Sequence, residues 1–304
     1  MNWEKLLRSR PPSTGWVFDQ AEAVVVHRNT TEAHCACEAL PANAFEVGAV
    51  GLQTVDAEAL APVLARLKGA AEGAKTAAVI VPSNWLRSFL IDIDRAPRKE
   101  NELRDVVRWR MKKLLPVPAS ELRLSVNRLP ELDGVRRLMV MVGLERAMDA
   151  IETAFRSVGI EVGLLSTTLF TVVSRKAGAQ RPTLVIQHEE ALLSLLLVVN
   201  SVPRFLRSKP LPSNRDNTDA VIREIELNIA YVRDSLGVND EIEVRFVSQN
   251  AKLDASARQQ LSAFEGLVPA PEIPMLPAGP TTVVQRLGAA RLAPAMAVVT
   301  GEVR

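Results

Sequence analysis

An α/β fold built from two similar halves is predicted by three observations on the sequence. Valine-rich runs stand close together near the amino terminus, "GWVFD" (15–19) and "EAVVVHR" (22–28), separated only by Gln20 and Ala21, which is the pattern of a tight hairpin. A third candidate strand, "HCACEAL", is followed by an amphipathic helix and a buried-strand run. The same order of three strands, helix, strand and helix returns after Pro182. No repeat of shorter period is visible, which excludes solenoids and propellers.

Composition frames this reading. The chain has 304 residues, 47% hydrophobic and 24% charged, with a net charge of +2, which suits a soluble globular protein of one large or two to three smaller domains. Near-neutral charge and 4% aromatics remove any general argument for nucleic acid. Cys35 and Cys37 flank Ala36 beside His34, and the other histidines are His27 and His188. Structural zinc wants four close ligands, so no metal is expected, and the cysteines read as small strand residues of a reduced cytosolic protein. The start "MNWEKLLRSRPPSTG" lacks the apolar core of a secretory signal, which predicts a cytoplasmic chain. Its Trp3, Lys5, Leu6, Leu7, Arg8 and Arg10 read as a frayed terminus rather than a membrane contact. The apolar run "ALLSLLLVVN" after Glu190 is about half of the ~20 residues that a membrane span needs, and it suits a buried hairpin.

Taken in order, the first hairpin and third strand lead to a helix in "TVDAEALAPVLARLKGAAEG" and a strand at "TAAVIVP". After Pro82, "RSFLIDID" alternates as a strand. The helix from about Glu100 to Leu115 places Leu103, Val106, Val107, Met111 and Leu114 on one face, with Glu100 and Arg104 as an i,i+4 pair on the other. Pro116 and Pro118 stop it. "LRLSVNRL" and "RRLMVMVGL" are two strands, and "ERAMDAIETAFRSVG" is a helix that turns Met148, Ile151, Phe155 and Val158 inward and ends at Gly159. The second half opens with strands at "TLVIQ", "ALLSLLLVV" and "VPRFLRSKPL". The helix "DAVIREIELNIAYVRDSLG" carries Ile222, Ile225, Ile229, Val232 and Leu236 on one stripe. "EIEVRFVSQ", the helix "DASARQQLSAF", a proline-rich stretch from Pro269 to Pro280 and "AARLAPAMAVVTGEVR" complete the chain.

The segment "VPSNWLRSFLIDIDRAPRKENELRDVVRWRMKKLLPVPASELRLSVNRL" resembles the corresponding part of PilM-like proteins, actin-like cytoplasmic components of type IV pilus assembly. The resemblance rests on Pro82-Ser83 before a strand, the helix with Trp109, and Pro116-Val117-Pro118. "REIELNIAYVRDSLG" and "LAPAMAVVTGEVR" resemble two later helices of the family. It implies an actin-like (ribonuclease H-like) two-domain fold with a subdomain inserted in the first domain. The implied boundaries are 1–82 for the first part of the first domain, 83–163 for the insert, 164–181 for a return helix and linker, and 182–304 for the second domain with its C-terminal helix. The resemblance further implies a non-catalytic scaffold at the inner face of the inner membrane. Its partner would be the N-terminal cytoplasmic tail of a PilN-like single-span protein, bound against the insert and first domain, with other pilus proteins as further partners and membrane association indirect. The alternatives are an active ATPase of the same machinery and a GspL-like cytoplasmic domain of type II secretion.

Actin-like proteins hold Mg-ATP between two hairpin turns and a glycine-rich adenosine loop, because backbone N–H groups must approach phosphate closely. This chain departs from the family at all three places. The first turn, usually Asp-Ile-Gly-Ser, keeps Asp19 but carries Gln20 and Ala21; Asp19 then reads as an ordinary turn residue. The second has Gln187, His188, Glu189 and Glu190, and the third has Ser248, Gln249 and Asn250 with no glycine. Two glutamates in an exposed turn would face triphosphate, at about 1 kcal/mol per like-charge pair at 4 Å even in water. A pseudo-ATPase without cofactor is expected, with residual ATP binding as the exception. Glu189 and Glu190 cannot serve as an acid–base pair, since neighbours in a strand point to opposite faces. His188 has no nucleophile motif beside it. Finally, Arg104, Arg108, Arg110, Lys112 and Lys113 make a basic helix side for an acidic partner or lipid, or simply a solvated face. Trp109 among them marks a candidate interface with Arg104 and Arg108.

Overall fold

Valine and tryptophan at successive positions make β1 (Thr14–Phe18) a strand buried along its whole length, paired antiparallel with β2 (Glu22–Arg28) across the turn at Gln20-Ala21. The computed structural model describes residues 12–29, 33–173, 177–189, 192–211, 218–248, 250–270 and 281–301. The amino-terminal Trp3 and its neighbours, Glu190 and Gln249 lie outside the described residues. The chain forms two compact units, Met1–Thr171 with Pro274–Arg304, and Val172–Ile273.

In the first unit, β3 (Ala33–Ala39) extends the hairpin, and a second small hairpin follows, β4 (Phe45–Gly48) with β5 (Gly51–Val55). Asp56 caps helix α1 (Ala57–Lys68) by accepting the Ala59 N–H at 2.9 Å. Strand β6 (Thr76–Val81) then pairs parallel with β1. The insert contributes β7 (Arg87–Asp92), α2 (Glu100–Leu114), β8 (Leu122–Arg128) and β9 (Arg137–Leu144), with strand order β7-β9-β8. Helix α3 (Glu145–Ser157) leads to β10 (Glu161–Thr167), which pairs parallel with β6, and to the single turn α4 (Thr168–Thr171). The main sheet has the order β10-β6-β1-β2-β3.

In the second unit, β11 (Thr183–Glu189), β12 (Leu192–Val199) and β13 (Val202–Pro210) form the antiparallel set. Helix α5 (Thr218–Asp234), β14 (Ile242–Ser248), α6 (Ala251–Leu261) and β15 (Leu267–Pro269) follow, with sheet order β13-β12-β11-β14-β15. Position by position this is the order of the first sheet. The repeated order read from the sequence is therefore a repeated topology, two ribonuclease H-like sheets, and the predicted α/β actin-like class holds.

Several features differ from the sequence reading. Residues 161–167, which overlap the expected return helix, form an edge strand. An apolar run such as "GLLSTTLF" suits either state, and the open edge of β6 captures it as a strand with a bulge between Val162 and Leu164. The closing helix α7 (Thr281–Thr300) belongs to the first unit rather than the second domain. Its Leu292, Met296 and Val299 pack on Val17, Val24 and Val26 of that sheet. Gly15 permits the approach, since a Cβ there would stand 3.1 Å from the Ala295 backbone. On α2, Leu114 is exposed, since Met111 and Leu115 are the residues of the last turn that enter the core, and Glu100 pairs with Arg128 at 3.4 Å rather than with Arg104.

The insert has no separate core. Leu103, Val107 and Met111 of α2 join one apolar cluster with Trp16, Phe18, Leu60 and Phe155. Trp16 meets Phe155 edge-on at 5.1 Å. Cys35 and Cys37 lie on the face toward α7, and burial together with Cys37 pushes the Cys35 thiol up to about 11, which keeps it protonated and unreactive.

Candidate functional site

The first hairpin turn is closed upon itself. Asp19 Oδ1 accepts the backbone N–H groups of both Ala21 and Glu22 at 2.7 Å, and the Asp19 N–H donates to the Glu22 carbonyl at 3.0 Å. Two turn donors that an anion could use, the Ala21 and Glu22 N–H groups, are thus spent on a side chain of the turn itself, while the Gln20 side chain stands exposed. Arg291 of α7 then bridges two carboxylates, Asp19 Oδ2 and Glu22 Oε2, each at 2.8 Å. No sequence rule linked Arg291 to Asp19, which lies 272 positions away. The available signal was a cation enclosed by Ala289, Ala290 and Leu292 in an apolar helix, which must find a carboxylate once that helix is buried.

In the second unit, Gln187, His188 and Glu189 sit in regular register with Ser194, Leu193 and Leu192. Gln187 is buried. Glu189 is buried too, which corrects the exposed turn expected for it: it continues the strand in register with Leu192 rather than leaving the sheet. The parallel neighbour β14 brings Ser248 beside His188, with Ser248 Oγ 3.1 Å from His188 Nδ1. Ser248 Oγ also accepts the Asn250 N–H at 3.1 Å, and Asn250 Oδ1 accepts the Leu253 N–H at 3.2 Å, capping α6. Where a glycine-rich loop would leave its donors open, a serine and an asparagine tie them down.

Burial holds the His188 imidazole below its usual range, which favours the neutral ring, and its Nδ1 shares a hydrogen bond with the Ser248 hydroxyl. Since the folded value lies below the unfolded one, this contribution to stability is fully present above the ordinary histidine value near 6.5 and is lost as pH falls through the folded value. His188→Gln is expected to flatten the acid side of the stability profile below that point. Urea unfolding at a series of pH values reads this directly.

A different concavity lies within the first unit. A groove of about 270 Å³ is lined by residues of β8, β9, α3 and β10. Leu124, Met141, Val142, Met148 and Leu165 make it apolar, and Ser125, Asn127 and Ser166 add polar groups. Gly143 lets Leu86 and Met148 pack closely against β9 there, since a Cβ would come within 2.8 Å of Leu86 Cδ2. Charge enters through Arg123, which meets three carboxylates of α3: Glu145 at 2.7 Å, Asp149 at 2.5 Å and Glu152 at 2.5 Å. These recur at four- and three-residue steps and so share one helix face. Burial works against the Arg123 cation, but the carboxylates outweigh it and hold the guanidinium firmly charged. β8 and β10 are each the terminal strand of their sheet among the described residues, so both line the groove as edges. The groove joins segments some forty residues apart and left no local pattern in the sequence.

The predicted partner residues lie elsewhere. Arg104, Arg108 and Trp109 are exposed on α2, and none lines the groove.

Two sheets of identical order, each with three antiparallel strands followed by two parallel ones, define an actin-like fold in two units, with a strand-and-helix insert in the first. A scan against protein-family models and a search of the curated proteins each returned no match. Among solved structures, the chain resembles the "PilM-PilN type IV pilus biogenesis complex", with a TM-score of 0.66 at 18% identity, covering 97% of this chain and 98% of that one. A protein "with actin-like ATPase fold and unknown function" from Bacteroides thetaiotaomicron gives 0.50 at 10% identity, covering 85% and 90%. The cytoplasmic domain of EpsL, "an inner membrane component of the type II secretion system" of Vibrio cholerae, gives 0.49 at 10%, covering 95% and 93%. The PilM-like resemblance drawn from the sequence holds at the level of the fold.

Proposed function

We propose that this chain is a non-catalytic cytoplasmic scaffold of a type IV pilus or related secretion machine, and that its groove captures the N-terminal tail of a PilN-like inner-membrane protein. The observation that carries this reading is the groove itself. Two strand edges from two sheets border an apolar floor, so an extended peptide can pair its backbone with one edge and set alternate side chains into the apolar surface. Such docking needs no nucleotide. The closed first turn and the capped third loop support a pseudo-ATPase, because the Ala21, Glu22 and Asn250 N–H groups already have internal acceptors. Other pilus proteins are further candidate partners, and the membrane is reached through the tail.

The test is calorimetry of the full chain with synthetic tail peptides of the single-span proteins encoded beside it. Met141 and Leu165 are only partly buried and face the groove, so Met141→Glu and Leu165→Glu are expected to fold normally. Each is expected to weaken binding by about 2 kcal/mol, roughly thirtyfold, the loss of one apolar anchor. Failure to bind any of these tails would defeat the scaffold reading. Micromolar binding of Mg-ATP, abolished by Asp19→Ala, would instead favour the active ATPase.

A further inference from the structure

Helix α2 carries a surface that the groove does not use. Between Arg104 and Lys113 stand five cations and a single carboxylate, Asp105. Arg110 is turned away, donating to the Asp92 carbonyl at 2.6 Å. The other four, Arg104, Arg108, Lys112 and Lys113, are exposed together with Trp109, whose side chain is 60% accessible. Arg104, Arg108 and Lys112 recur at four-residue steps and form a row about 12 Å long on one side of the helix. Trp109 stands beside that row with Lys113 Nζ 3.9 Å from its ring centroid. Asp105 offsets only part of this charge, lying 3.6 Å from Arg108. The apolar stripe of the same helix, Leu103, Val107 and Met111, is fully buried, so the face is fixed by the fold and is not a helix seeking a core.

We propose that this face of α2 docks on an anionic lipid surface. Charge complementarity favours an anionic occupant, and the tryptophan chooses its kind. An indole with its apolar body and polar edge exposed among cations suits the headgroup boundary of a bilayer, and lysine and arginine stems can extend past it toward phosphate. The flank of a helix offers no strand edge for an acidic peptide to pair with. A fluid layer of headgroups needs neither an edge nor a pocket. The contact is a direct, salt-sensitive one, in addition to any tethering through a captured tail. It does not rest on the groove reading, and the two can fail separately.

The full chain is sedimented with vesicles of phosphatidylcholine alone and with about 30% phosphatidylglycerol, near physiological salt and at high salt. Binding is expected only to the anionic vesicles and is expected to be lost at high salt. Each basic residue near such a surface contributes about fivefold, so losing three costs on the order of a hundredfold, and the charge-reversing triple variant Arg104→Glu, Arg108→Glu, Lys112→Glu is expected to lose at least that much. All three positions are exposed, so its thermal unfolding should match that of the parent chain. Trp109→Ser keeps the charge and is expected to lose severalfold in affinity, along with the blue shift of emission on adding vesicles. Absence of binding to anionic vesicles overturns the proposal. Equal binding by parent and triple variant does so as well. Binding to soluble polyglutamate without binding to vesicles would assign the face to an acidic protein instead.

Discussion

Arg291→Glu is expected to lower the stability of the folded chain by about 3 kcal/mol, read as a shift of the urea midpoint at unchanged slope. The guanidinium bridges Asp19 and Glu22, whose side chains are 17% and 22% exposed, and itself is 32% exposed. Fully buried pairs cost about 3–5 kcal/mol when one partner is removed, and partial exposure places this site at the low end. A glutamate adds a third carboxylate where the cation stood. The fold should nevertheless survive, because Leu292, Met296 and Val299 keep α7 docked by burying about 2 kcal/mol of apolar side chain each. Combining Arg291→Met with Asp19→Asn and Glu22→Gln removes every charge of the cluster and is expected to recover more than half of the loss. If the triple neutral variant is as unstable as the single reversal, the ion pairs are not what the arginine contributes. Arg291→Ala is expected to gain no affinity for Mg-ATP, since the Ala21 and Glu22 N–H groups remain on Asp19 Oδ1.

The plan of the molecule was legible wherever local pattern and burial agree. Val24, Val25 and Val26 and the long apolar run through Leu197 gave both antiparallel sets, because a strand walled in by neighbours must be apolar on both faces. The stripe Ile222, Ile225, Ile229 and Val232 gave the face of α5, and all four are buried. The departures at Gln20 and Ala21 and at Ser248 were also readable, since the missing glycines are visible residue by residue. What replaced them was not. Whether Asp19 would satisfy its own turn depends on backbone angles, and its arginine partner arrives from the far end of the chain. Position 189 shows the limit most plainly: a glutamate after "VIQH" reads as a turn residue by polarity, yet it continues the strand beside Leu192 and is buried. β10 was ambiguous by period, and only the open edge of β6 decides it. The groove depends on that same strand, so misreading β10 as helix also hid the candidate site.

Gly51→Ala is expected to be the most damaging single substitution at a small residue, and its consequence should reach the groove. Gly51 opens β5 with φ +111, a region that side chains rarely adopt, and a Cβ there would drive into the Trp85 carbonyl oxygen. That carbonyl accepts the Leu52 N–H at 2.9 Å, and both Leu52 and Trp85 are fully buried. Relieving the clash means separating the pair. The cost combines a buried donor and acceptor left unmade, about 1–3 kcal/mol, with backbone strain of similar size. A total of about 4 kcal/mol is a large share of the stability of a domain this size. Trp85 packs against Phe45 in a tilted pair with ring centroids 4.3 Å apart and is followed by Leu86, which lines the groove. A shift of the β4–β5 hairpin therefore moves one groove residue directly. Urea unfolding should show the loss in stability, and calorimetry below the unfolding transition should show weaker tail binding by the surviving folded fraction. Met141→Glu separates the two effects, because it is expected to lose binding while keeping stability. A Gly51→Ala protein as stable as the parent would mean that the hairpin does not anchor the start of the insert.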